Sequence, residues 1–357
     1  MRFRAVFRQW PVCETTTMLR MADIRIGISG WRYEPWRKVF YPSGLAQHRE
    51  LEFASRAFRT IEINGSFYSL QTPRSYDAWH RATPTGFVFS VKGPRFITHI
   101  LRLKNVRKPL ANFFASGVLN LREKFGPLLW QFPPSLRYDP KLFETFLALL
   151  PRDTSAALKL ARSRESRMHG RSCLRIDAER PLRHAVEIRH ASFATAEFMA
   201  QLRQHKVALV VADTAGKWPY LEDVTSDFMY LRLHGDRELY ASGYTEAALD
   251  QWVRRIRAWT RGREPADARR VANRSASTQA RDVYCYFDND VKVRAPFDAD
   301  RLMQKLAVTR TDESFEFPSR RALRNVRPVT PLPPFRWRRP KRRGLRPALQ
   351  ARSRRRR

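Results

Sequence analysis

Eight ionisable residues share one sequence setting, the C-terminal end of a short apolar run: Glu62, Lys92, Glu187, Arg189, Asp213, Arg232, His234 and Asp288. Carboxylates beside a histidine that titrates near neutrality can move protons, and fixed cations can hold an anion. Lys92, Glu187, Asp213, His234 and Asp288 are therefore the candidate catalytic groups. Glu62, Asn64, Gln131, Arg189, Arg232 and Tyr286 from the runs, with Trp31, Tyr68, His190 and Asn289 just beyond them, are the candidate substrate-binding residues. A plainer reading stands beside this one. Glu62, Glu187, Arg189 and Arg232 can form a buried ion network that only fixes the fold. His190 and Asn289 can cap loops, and Trp31, Phe67 and Tyr68 can simply cover the core. Covalent amine chemistry through Lys92 has little support, because a lysine among carboxylates is more often an ion-pair partner.

The elements that must position these residues follow from periodicity. Apolar runs recur at 24–30, 60–64, 87–92, 128–132, 185–189, 207–213, 228–234 and 283–288. Amphipathic stretches lie between most of them, at 45–58, 73–81, 106–125, 140–149, 193–205, 245–259 and 298–306. Strands alternating with helices predict a parallel sheet, and eight such units predict closure into a (β/α)8 TIM-like barrel. Gly30-Trp31-Arg32-Tyr33 after the first run is not a dinucleotide fingerprint, which argues against an open sheet of that type. Within a barrel strand, alternate residues face the lumen. Glu62 and Asn64, Ser90 and Lys92, Leu129 and Gln131, Glu187 and Arg189, Tyr230 and Arg232 with His234, and Tyr284, Tyr286 and Asp288 then form the inward set. Asp213 ends its run in phase with Val211 and is grouped with them by its position at the strand end. Barrel chemistry occurs at these strand ends.

Composition bounds the rest. The formal net charge is +34, but sixteen of those charges fall on 318–357, three on 1–22 and three on 262–281, leaving +12 elsewhere. The basic, proline-interrupted segment 318–357 is expected to be disordered and able to bind nucleic acid without sequence preference. Residues 1–22 read as an N-terminal extension outside the fold, 23–310 as the barrel, and 163–183 and 262–281 as irregular inserts. No apolar run is long enough for a membrane span. The three cysteines, Cys13, Cys173 and Cys285, form neither a metal motif nor a disulfide framework, so a reducing, cytoplasmic setting is expected.

Several motifs together resemble the YecE-like family, a domain of unknown function (number 72). They are Gly27-Ile28-Ser29-Gly30-Trp31, Glu62-Ile63-Asn64-Gly65-Ser66-Phe67-Tyr68, Lys92-Gly93-Pro94 with Thr98-His99, and Gln131-Phe132-Pro133-Pro134. Glu187-Ile188-Arg189-His190, Ala212-Asp213-Thr214, Arg232-Leu233-His234-Gly235 and Tyr286-Phe287-Asp288-Asn289 complete the series. The resemblance implies a TIM-like barrel with these strand-end residues lining a pocket. It implies no reaction, and it does not extend to 262–281 or the Arg-rich segment.

Three functions remain open at this level. The first is an enzyme, a hydrolase or lyase, or a ligand-binding barrel, for a small phosphate- or carboxylate-bearing substrate clamped by Lys92, Arg189 and Arg232. It requires no cofactor. The second is a metal-dependent hydrolase acting on nucleic acid, with Glu62, Glu187, Asp213, His190 and His234 as ligands of a divalent ion. Three cations in the same volume, and the absence of tight His-x-His spacing, weigh against it. The third is a non-enzymatic polyanion binder acting through its Arg-rich segment.

Overall fold

A computed structural model describes residues 21–290 and 292–319. The expected extension over 1–22 and the basic segment 318–357 lie outside these residues, except for Met21, Ala22, Pro318 and Ser319. Eight strands, β1 (Ile24–Ser29), β2 (Thr60–Ile63), β3 (Val88–Lys92), β4 (Phe125–Gln131), β5 (His184–Glu187), β6 (Ala208–Asp213), β7 (Phe228–Leu233) and β8 (Asp282–Phe287), pair in parallel and in sequence order. β1 also pairs with β8, which closes the barrel. The outer layer holds α1 (Glu50–Ala57), the single turn α2 (Gly65–Tyr68), α3 (Pro73–Arg81), α4 (Arg107–Ala115), α5 (Pro140–Leu149), α6 (Thr154–Arg162), α7 (Ala196–Gln204), α8 (Glu246–Thr260) and α9 (Arg294–Leu306). No helix among the described residues is long and apolar enough to cross a membrane.

Local chemistry accounts for the helix starts. Thr72 and Asp139 cap α3 and α5 through their side chains, each followed by proline at the first position, where no backbone donor is needed. Thr195 and Thr245 cap α7 and α8 in the same way.

The helix expected over 106–125 stops at Ala115. Gly117 there has φ 99°, and a Cβ on it would come within 2.5 Å of Pro73 Cα, so only glycine permits the turn. A 3-10 segment, Val118–Lys124, then leads straight into β4. The short helix α6 falls in a stretch where no helix was expected, and the β6–β7 connection is an irregular loop.

Two apolar cores result. One lies between the strands and the outer helices. The other fills the lower lumen, where Ala185, Ala208 and Ala212 face the bulky Phe228, Tyr230, Tyr284 and Tyr286. Small residues on β5 and β6 make room for aromatic ones on β7 and β8, so the lumen is packed rather than open.

Candidate functional site at the barrel mouth

The lumen becomes polar directly above its tyrosines. Tyr230 is fully buried, and its hydroxyl bonds Glu62 Oε2 and Ser90 Oγ at 2.6 Å each. Tyr286 is also fully buried and bonds Thr60 Oγ1 at 2.8 Å.

On this floor sits Arg232, fully buried on β7. Its guanidinium donates to Glu62 Oε2 at 3.1 Å and Oε1 at 2.9 Å, to Glu187 Oε2 at 2.8 Å and to Asp288 Oδ2 at 2.8 Å. Ser29 joins as a fourth partner, accepting from Arg232 at 3.1 Å while donating to Glu62 Oε1 at 2.6 Å. Asn64 donates to the same Ser29 Oγ at 2.9 Å. Glu187 Oε1 accepts from Gln131 at 2.9 Å and from Arg189 Nε at 2.8 Å.

The electrostatics follow from these pairings. Burial pushes the Glu187 carboxyl up, but Arg189 and Arg232 outweigh it and hold it well below its ordinary range. Asp288 is held low in the same way, mainly by Arg232 against its burial. Burial would strip the proton from Arg232, yet Glu62, Asp288 and Glu187 keep it firmly charged. His234 is fully buried, with Nδ1 3.0 Å from Asp288 Oδ2 and Nε2 3.3 Å from Arg232. Its burial and the guanidinium both favour the neutral ring.

Lys92 differs from every other charge in the group. It ends β3 and is 8% exposed. Its Nζ lies 4.3 Å from the centroid of the Phe67 ring, and no hydrogen-bond acceptor or ion-pair partner meets it among the described residues. The three nearby carboxylates are drawn onto Arg232 instead. Burial, and then Arg232, lower the ammonium to about 8, against the pull of Glu62, Glu187 and Asp288. Gly93 fixes this position, because a Cβ there would lie 2.4 Å from the Trp130 ring.

Glu62, Asn64, Gln131, Glu187, Arg189, Arg232, His234 and Asp288 are thus joined in one network, with Lys92 within electrostatic reach of it. Asp213 does not join it. Its side chain follows Val211 to the outer side of the strand, accepts from Tyr244 at 3.0 Å and lines a separate cleft of about 240 Å³ beside α8, with Tyr220, Trp252 and Arg255. Burial raises it to about 6, and Asp236 adds to that rise.

Five further candidates have other surroundings. Trp31 packs edge-on against Trp79 in the outer wall, at 5.4 Å between ring centres. Tyr286 belongs to the lumen floor below the ion pairs. His190 accepts from the Ser192 backbone at 3.0 Å and caps its own turn. Asn289 is buried and ties Ser242 O to Asp298. Tyr68 is 70% exposed and touches the site only through the edge of Phe67.

Several site residues escape the sequence reading. Arg189 stacks over Trp218, 3.7 Å from its ring centre, and its NH2 reaches the Tyr240 hydroxyl at 3.5 Å. His99 packs edge-on against Phe67 at 5.0 Å and is lowered to about 4 by burial and then by Lys92 and Arg189. Asp290 is raised to about 7 by burial and by Asp288. Thr98-His99 stood within a recognised motif, which was the available signal. Trp218 and Tyr240 lie on irregular loops and carried none.

The metal-ligand set considered for a hydrolase is not assembled. Asp213 and His190 point elsewhere, Glu62 and Glu187 are satisfied by Arg232, and no group of three His, Cys, Asp or Glu suited to a metal ion occurs among the described residues. The clamp is also narrower than expected, since Arg232 is already engaged by three carboxylates and Ser29.

Comparison with known proteins places this architecture. The structure superposes on a DUF72 family protein from Thermotoga maritima MSB8 with a TM-score of 0.60 at 24% identity, covering 80% of this chain and 99% of that one. A DUF72 family protein from Enterococcus faecalis V583 gives 0.57 at 15% identity, covering 80% and 96%. These likenesses show the barrel fold. In sequence, UPF0759 protein YunF of Bacillus subtilis (strain 168) is 29% identical over 116 residues, 31% of this chain and 40% of that protein. UPF0759 protein YecE of Escherichia coli (strain K12) is 29% identical over 127 residues, 32% of this chain and 44% of that protein. The matched region thus spans about two fifths of the length of these relatives. The model of the family described as "Protein of unknown function DUF72" matches residues 25–321, and the chain belongs to that family.

Proposed function

We propose that the barrel mouth binds a small anionic ligand, phosphate- or carboxylate-bearing, above Lys92, and that the chain is an enzyme or binding protein for it. One observation carries this reading: among the described residues Lys92 is a buried cation that meets an aromatic face and no acceptor, while its neighbours are paired. An ammonium drawn largely out of water with no protein acceptor is costly, and an anion that supplies one offsets that cost. Arg189 supports the reading as a second donor at the rim, since Glu187 engages only its Nε. Glu187, His234 and Asp288, gathered around Arg232 in the same network, would supply its proton-transfer groups.

Thermal unfolding of the full chain against phosphates and carboxylates tests this. A ligand that binds only the folded state raises the melting temperature with its concentration. Wild type should respond to at least one class, and Lys92→Met should not. An equal response from both proteins, or none from wild type, refutes the reading.

A further inference from the structure

The surroundings of Lys92 suit more than charge recognition. Its backbone is held against Trp130 by the bare Cα of Gly93. Its Nζ lies over the Phe67 face with no acceptor among the described residues. The carboxylates that would ordinarily hold an ammonium, Glu62, Glu187 and Asp288, are bound by Arg232. Arg232 therefore helps to keep Glu187 and Asp288 ionised and, by its own charge, disfavours a proton on Lys92. An amine at about 8 has, at neutral pH, on the order of a hundredfold more of its reactive neutral form than an ordinary lysine.

We propose that Lys92 forms an imine with a small carbonyl compound that also carries a carboxylate or phosphate, a 2-oxo acid or a phosphorylated aldehyde or ketone. This rests on the anionic-ligand reading and names the chemistry of that same site. The neutral Nζ adds its lone pair to the carbonyl carbon, and the C=O π pair moves to oxygen, which takes up a proton. Loss of that oxygen as water then breaks the C–O bond and forms C=N. Across the sequence, ammonium and carbonyl become iminium and water, so no proton, oxidant or reductant is gained or lost. The iminium is a cation, and the Phe67 face that now carries the ammonium carries it equally. Arg189 is placed to receive the anionic end.

Borohydride trapping tests the proposal on the full chain. Wild type, Lys92→Arg and Lys92→Met are incubated with pyruvate or dihydroxyacetone phosphate, reduced with sodium borohydride, digested and weighed peptide by peptide. Lactate and glycerol 3-phosphate, which keep the anion and lack the carbonyl, are tested in parallel by thermal shift. The expected result is a secondary-amine adduct on the Lys92 peptide, at least roughly tenfold above any other lysine, in line with its larger neutral fraction. The same compounds should leave the variants modified only at background level. No adduct with either carbonyl compound, or adducts spread evenly over the lysines, overturns the imine. If lactate or glycerol 3-phosphate still stabilises wild type and not Lys92→Met, the anion reading survives that failure. If none of the four compounds shifts wild type and no adduct forms, both fall. A melting curve of each variant separates loss of trapping from loss of fold.

Discussion

Arg232 grips both carboxylate oxygens of Glu62 across the barrel, at 2.9 and 3.1 Å, with neither side chain exposed to solvent. The same guanidinium holds Glu187 and Asp288, so one cation from β7 pairs with acids from three other strand ends. Removing it leaves three like charges in a desolvated space. Arg232→Met should therefore cost about 3–5 kcal/mol in urea unfolding at neutral pH. Glu62→Gln combined with Arg232→Met should recover part of that loss, because one orphaned charge is gone. A cost below about 1 kcal/mol for the single change would show that the network is not structural in this sense.

Lys92 should behave in the opposite way. Arg232 on β7 opposes its charge, Glu62 on β2, Glu187 on β5 and Asp288 just after β8 favour it, and His99 senses it from the turn after β3. The unfolded chain keeps this proton up to about 10.4 and the folded chain loses it near 8. Between those values the unfolded state binds more protons, so stability rises with pH through that window. Wild type should gain on the order of 2–3 kcal/mol relative to Lys92→Met between pH 7 and pH 10.5. At pH 7, Lys92→Met should be no less stable than wild type. Urea melts at both pH values decide this, and a constant difference between the two proteins would refute it.

Asp213 offers a contrast. Its carboxyl is raised to about 6, so the folded chain holds that proton above the ordinary range near 4. The contribution is present at low pH and is lost as pH rises through 4 to 6. Asp213→Asn keeps an acceptor for the Tyr244 hydroxyl and removes the charge. It should stabilise the fold by roughly 1–2 kcal/mol at pH 7 and by little at pH 4. Ligand response at Lys92 should be unchanged. Loss of that response in Asp213→Asn would tie the outer cleft to the mouth.

The Arg-rich segment gives a prediction independent of the barrel. Deleting 318–357 removes sixteen positive charges, so any affinity for duplex DNA should fall and its salt dependence should flatten. Filter binding at several salt concentrations reads both. Equal affinity and slope in the truncated chain would assign polyanion binding to the barrel.

Much of the fold was legible because a barrel repeats one local rule. Short apolar runs separated by capped amphipathic stretches need only period and end chemistry to be read, as Thr72-Pro73, Asp139-Pro140 and Thr245 illustrate. Strand alternation likewise sorted Glu62, Lys92, Gln131, Glu187 and Arg232 to the inside. The same rule, followed strictly, turns Asp213 outward with Val211; treating strand-end position as sufficient misplaced it. The break of the 106–125 helix escaped because the obstacle to any side chain at 117 is Pro73, a residue remote in sequence.

What the sequence determined by itself is therefore the set of inward charges and the end of the barrel where they gather. Which of them are spent on each other is a tertiary result. Glu62 and Arg232 stand 170 positions apart, and their hydrogen bonds depend on closure bringing β2 and β7 across one narrow lumen. In that lumen the geometry lets a planar guanidinium satisfy three carboxylates at once. Lys92, on β3, is left facing an aromatic ring instead of an acid. Local patterning specifies the direction in which a side chain points, but Coulomb and hydrogen-bond energies depend on distances and angles that exist only once all eight strands have closed.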